Sequence, residues 1–208
     1  MARAAGLAGI VLCLGVLACR VPAAPRTPLG TTETTVEPQG FFLAPADVLV
    51  APVRDMSGAF DSVRAPLRQA LYTGLVARLF SPLRLEHVDG RIESGRAEPT
   101  LDGSDEILLR TSVYRWDTGA LESNGVVETE VEVELVRPLD GAPTVLWRTF
   151  LSRRLTVEMP TVRRSSRGEL VRVLADRLGA EILLELPPRG SVAPPPAAEL
   201  SLIHISEP

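Results

Sequence analysis

The chain has 208 residues and a formal net charge of −4, and all 22 of its basic residues are Arg. That balance argues against a general nucleic-acid binder, which carries a clear basic excess. Only two Cys (Cys13, Cys19) and two His (His87, His204) are present. A metal site needs more convergent ligands than His87 supplies, and any Ser-His-Asp arrangement would depend on the same residue.

The first segment has three parts. Arg3 places a positive charge beside the amino terminus, Leu7 to Leu17 is apolar, and small residues lead to Cys19. This is the pattern of a secretory signal, too short for a transmembrane helix of roughly 20 apolar residues. Val16-Leu17-Ala18-Cys19 resembles the end of a bacterial lipoprotein signal. The resemblance implies a signal peptide over 1–18, cleavage before Cys19 and lipidation (diacylglycerol, then palmitate-type N-acylation) at that Cys. Stable anchoring takes two or more acyl chains. With Cys13 removed and Cys19 lipidated, no disulfide is expected. Arg20 after the Cys, in place of Asp, implies delivery to the outer membrane, on its periplasmic face.

Residues 19–45 are rich in Pro and Thr and are expected to form an extended tether with little to bury. Asp47 to Arg54 reads as a strand covered on both faces, because its apolar residues do not alternate. Pro52 lies near its end, where a missing donor is tolerated. Asp61 to Phe80 is predicted as a helix with Leu67, Leu71, Leu75 and Leu79 on one stripe. Gly74 costs about 1 kcal/mol there against Ala and points to close packing, expected on the sheet. Leu83 to Val88 is predicted as a short strand, and 89–104 as a polar loop. Ile107 to Trp116 is a third strand, with Ile107, Leu109, Thr111 and Val113 on one face and Leu108, Arg110, Ser112, Tyr114 and Trp116 on the other.

Val126 to Val136 and Thr144 to Val157 form a hairpin. In its first arm Val127, Thr129, Val131, Val133 and Leu135 alternate with Glu128, Glu130, Glu132 and Glu134. Pairing 137 with 143 would set Val133 opposite Trp147 and Glu132 opposite Arg148. Ser166-Arg-Gly-Glu169 is a capping-box pattern that opens a helix to about Leu186, with Leu170, Leu174, Leu178 and Ile182 buried. Pro187-Pro188 stops it. A disordered tail is expected over 189–208, rich in Pro and Ala over 189–199. Its end, Leu200 to Pro208, resembles sequencing-adapter read-through and is not expected to belong to the folded domain.

This order, β-α-β-β-β-β-α, predicts an α+β domain over 46–188: a mostly antiparallel sheet with two helices on one face. Val48-Leu-Val-Ala-Pro-Val-Arg-Asp-Met-Ser-Gly58, Asp105 to Trp116 and Asp140 to Trp147 resemble the opening strand, third strand and hairpin arm of the TolB N-terminal and CsgG-like domains. That resemblance implies an envelope module that binds partners in transport, secretion or assembly. It does not imply an enzyme.

No catalytic residue, metal ligand or cofactor is assigned. Candidate partner-binding residues are Arg153, Arg154, Arg163, Arg164, Arg167 and Trp116. The basic cluster suits anionic lipid or a carboxylate patch, and an exposed Trp would make an interface anchor. The Glu row suits a solvated sheet face, with Arg148 and Arg154 partly neutralising it. The leading expectation is a lipid-anchored accessory protein of an envelope complex. One alternative is a homo-oligomeric outer-membrane pore subunit of the CsgG kind, with the hairpin crossing the membrane. Another is an ABC-transport auxiliary lipoprotein that binds a lipid or other apolar ligand.

Overall fold

The computed structural model describes residues 28–37, 41, 44, 46–59, 63–93, 96, 98–101, 106–137 and 143–191. The signal segment, Cys19, the hairpin turn at 138–142 and the tail from 192 lie outside these residues. The protein is α+β, with seven strands in one mixed sheet ordered β1-β7-β6-β5-β2-β4 and with β3 also on β5. The strands are β1 (Thr32–Val36), β2 (Asp47–Val50), β3 (Arg54–Asp55), β4 (Ser81–Pro82), β5 (Glu106–Asp117), β6 (Val126–Arg137) and β7 (Thr144–Thr156). The helices are α1 (Arg64–Leu75), α2 (Leu85–Gly90), α3 (Leu121–Asn124), α4 (Met159–Val162) and α5 (Arg167–Glu185).

β2 has no alternation because both of its faces are covered. Val48 and Val50 point into the main core, and Leu49 joins Ala51, Val88 and Leu108 in a smaller one on the other face. β2 runs parallel to β5 and β4, and β3 is parallel to β5, so the sheet is mixed rather than mostly antiparallel at this side. Pro52, with no N–H to donate, separates β2 from β3. The Val50 carbonyl beside this gap accepts from Arg68 Nε (3.0 Å) and Nη2 (2.9 Å). Arg68 Nη1 also meets Asp89 Oδ1 at 2.7 Å, so one side chain ties α1 to β2 and α2.

α1 and α5 cover one face of the sheet. Leu67, Leu71 and Leu75 are buried from α1, and Leu170, Leu174, Leu178 and Ile182 from α5. The expected stripe stops one turn early: a 3₁₀ turn follows at Val76–Arg78, and Leu79 is 65% exposed with φ +65°. Gly74 packs on α5, not on the sheet. A Cβ there would lie 2.3 Å from Leu183 Cδ1. The Ser166–Glu169 capping box forms in full, with the Glu169 N–H donating to Ser166 Oγ and the Ser166 N–H to Glu169 Oε2 at 2.7 Å.

Three further expectations change. The tether segment contains β1, paired antiparallel to β7, and Phe41 is fully buried against Phe80, ring centroids 6.2 Å apart. Thr-rich sequence reads as polar, yet Thr is β-branched and suits a half-buried strand. Leu83–Val88 is not a strand: β4 ends at Pro82 and the chain turns into α2, which buries Val88 over the second face of β2. The hairpin register is displaced by two residues, so Val133 faces Thr149 and Glu134 faces Arg148. A shift of two preserves every side chain's face, and the inward and outward sets are therefore as expected for most of the hairpin. β6 also pairs with β5 along most of its length, so the hairpin lies inside the sheet rather than standing clear as a membrane-crossing arm.

Candidate functional site: the open face of the sheet

The face away from α1 and α5 carries an ordered array of charge. β6 supplies the column Glu128, Glu130, Glu132 and Glu134, flanked on β5 by Arg110, Ser112 and Arg115 and on β7 by Arg148, Phe150 and Arg154. Arg148 Nε donates to Glu134 Oε1 at 2.8 Å and lies 3.4 Å from Glu132. Arg154 meets Glu128 at 2.9 Å, and Arg115 also pairs with Glu128. Arg110 and Arg54 share Glu98. The Glu row, expected to be partly neutralised by Arg148 and Arg154, is thus interleaved with Arg from both neighbouring strands. Partly exposed pairs of this kind contribute about 0–1 kcal/mol each. Their main consequence is a fixed pattern of charge.

Tyr114 sits at the middle of this face. It is the extra residue of a β-bulge, since Val113 faces Val131 while Arg115 already faces Glu130. The bulge reverses the alternation that follows. Arg115 turns to the open face, and Trp116 turns into the main core, 2% exposed. Tyr114 Oη donates to Glu132 Oε2 at 2.8 Å, and its ring lies 6.4 Å from that of Phe150. Burial, then the hydrogen bond and charge of Glu132, hold the phenol above its ordinary value of 10.0. The hydrogen bond to Glu134 raises Arg148 further.

The expected basic cluster is divided. Arg153 is on the helix side, where Nη1 donates to Thr31 O (2.8 Å), Nη2 to Thr32 Oγ1, and Nε lies 3.5 Å from Glu181. It clamps β1. Arg154 is on the open face. Arg163 and Arg164 are exposed after α4, and Arg167 binds Glu122 (2.6 Å) and Thr118 (3.1 Å). Trp116 is corrected from an interface candidate to a core residue. Sequence reasoning missed Arg115, Tyr114 and Phe150 as members of one face. The available signal was the charge at Arg115, which strict alternation from Val113 would bury.

His87 is exposed on α2. Among the described residues no group of three or more His, Cys, Asp or Glu could hold a metal ion, and no helix is long and apolar enough to cross a membrane. A cleft of about 440 Å³ beside Pro52 and Val53 is lined by Arg64, Arg68, Glu86 and Asp89. Its charge does not suit an apolar ligand.

No family model and no curated protein matches the sequence. Among solved structures, the PelC dodecamer from Paraburkholderia phytofirmans is 19% identical, covering 76% of this chain and 99% of that one, with a TM-score of 0.46. Lipoprotein GNA1162 from Neisseria meningitidis is 15% identical over 67% and 99%, TM-score 0.45. The hypothetical protein CT253 from Chlamydia trachomatis is 13% identical over 72% and 100%, TM-score 0.47. At these values the likenesses assign neither family nor function.

Proposed function

We propose that this is a lipid-anchored accessory protein of the bacterial envelope that binds a partner protein through the open face of its sheet. The carrying observation is the asymmetry of that sheet. One face is sealed by α1 and α5, while the other presents Tyr114 and Phe150 within a fixed Arg–Glu pattern. A partner with apolar contacts at the centre and complementary charges at the rim fits such a surface, because buried aromatics dominate binding energy and rim charges set orientation. The lipoprotein-type signal ending at Cys19 supports the anchor, and Arg20 supports the outer membrane. The protein is read as a binding module, not an enzyme.

Two measurements test this. Fatty-acid labelling in cells is expected to be lost in C19A, and unchanged labelling would defeat the anchor. Cross-linking with mass spectrometry in intact cells is expected to yield envelope-protein links on the β5–β7 face that Y114A/F150A removes. Links confined to the helix face would defeat the proposed surface.

A further inference from the structure

β1 is the only long open edge among the described strands. The opposite edge is β4, two residues long and ending in Pro82. Ser152 N–H donates to Thr31 O (3.0 Å) and Glu37 N–H to Leu146 O (2.8 Å). These bonds turn residues 31, 33, 35 and 37 toward β7. By the alternation of an antiparallel ladder, the main-chain groups of Thr32, Thr34 and Val36 point away from it. Exposed edges are normally blunted by Pro, Lys, a bulge or an inward charge. Thr32-Glu-Thr-Thr-Val36 has none of these, and four of its five residues are β-branched. Its single charge, Glu33, belongs to the open face of the sheet.

We infer that β1 is a self-association edge: two copies pair their β1 strands antiparallel about Thr34, joining both sheets into one. The occupant is a second copy because the strand is complementary to itself in this register. Thr34 meets Thr34, Thr32 meets Val36, and Glu33 meets Thr35, so Glu never faces Glu. Arg148, the register partner of Thr35, is half exposed and places a positive charge one strand beyond the seam, on the face that Glu33 of the second copy enters. Three outward residues from each copy provide six main-chain hydrogen bonds.

β1 is also held in place before pairing, by Arg153 and by the Thr34–Thr149 hydroxyl contact at 2.9 Å, which lowers the ordering cost of association. One effect opposes it: Glu185 Oε2 lies 3.4 Å from Thr34 Oγ1, so two carboxylates approach the two-fold axis. A five-residue seam is small, and association in solution is expected in roughly the micromolar range. Confinement on a membrane would raise the effective concentration. The dimer itself does not depend on lipidation.

Thr34→Pro removes an outward N–H but no main-chain bond to β7, and the hydroxyl contact with Thr149 that it also loses is lost equally in Thr34→Ala, so the two variants together isolate the seam from the fold. Sedimentation of the full chain in detergent is expected to show a monomer–dimer equilibrium, weakened about tenfold or more by T34P and little changed by T34A. A cysteine pair provides a second test that tolerates misfolding of T34P. In the full chain with C13A and C19A, T34C is expected to form a disulfide dimer under mild oxidation, whereas R84C on the far edge is not. A monomer at all concentrations up to about 100 μM, well above the expected range, would overturn the inference. So would a dimer indifferent to T34P, or a 34–84 cross-link in T34C/R84C, which would indicate head-to-tail packing.

Discussion

A Cβ on Gly179 would lie 2.7 Å from the Ala70 Cβ, with the Ala70 carbonyl carbon at 3.5 Å. The α1–α5 contact is therefore set by backbone proximity at this point, and neither neighbour is a flexible side chain that can yield. Gly179→Ala is expected to force the helices apart, costing about 1–3 kcal/mol as overpacking. That is about 2–12 °C in Tm for a chain of this size, read by thermal unfolding. Gly74→Ala should cost less, because only the end of Leu183 must move and Ala gains up to about 1 kcal/mol of helix propensity. Equal gains at the two sites would show that local propensity, not proximity, governs both.

Arg153 holds β1 from within the sheet. Arg153→Met keeps most of the apolar stem and removes the bonds to Thr31 and Thr32 and the ion pair with Glu181. Hydrogen exchange should accelerate over residues 31–37 while β5 to β7 stay protected. The expected cost is about 1.5–3 kcal/mol, as for a charged hydrogen bond. Uniform acceleration across the sheet would contradict a local clamp.

The bulge at Tyr114 gives Trp116 a core position and Arg115 a surface one. Trp116→Ala should cost about 3–5 kcal/mol of stability, measured by denaturant unfolding. Any loss of partner links in cells should track loss of folded protein. A stable W116A variant that lost its links would instead return Trp116 to the binding surface.

Two groups predict opposite pH behaviour. Glu169 is lowered from 4.5, first by the Ser166 main-chain N–H and then by its hydroxyl. Its contribution to stability is present above the unfolded-state value and is lost as pH falls through the lower folded value. Acid unfolding should therefore be less pH-dependent in E169Q across that window. Tyr114 is raised, so its contribution is present below 10.0 and is lost as pH rises through the folded value. Alkaline difference absorbance should show a late-titrating phenol that moves earlier in E132Q. The move should be partial, because burial is the larger cause.

Local chemistry determined much of this protein in the sequence alone. The capping box at Ser166, the four-residue Leu spacing of α5 and of α1 as far as Leu75, the unbroken apolar run of β2 and the alternation of β6 each depend on near neighbours, and each appears as its residues predict. The division of the hairpin into Glu-bearing and apolar faces was legible for the same reason, and a two-residue register shift left it intact. Tertiary structure decided what depends on distant partners. Thr32–Val36 is a strand only because β7 offers its edge and Arg153 reaches back to hold it. The apolar run of β2 calls for cover on its second face, but that the helix at Leu85–Gly90 supplies it is decided by the tertiary structure. The insertion at Tyr114, which separates Arg115 from Trp116, is set by the match between β5 and β6. Period-two patterning fixes a face only up to the next bulge, and the position of a bulge is a property of two strands together.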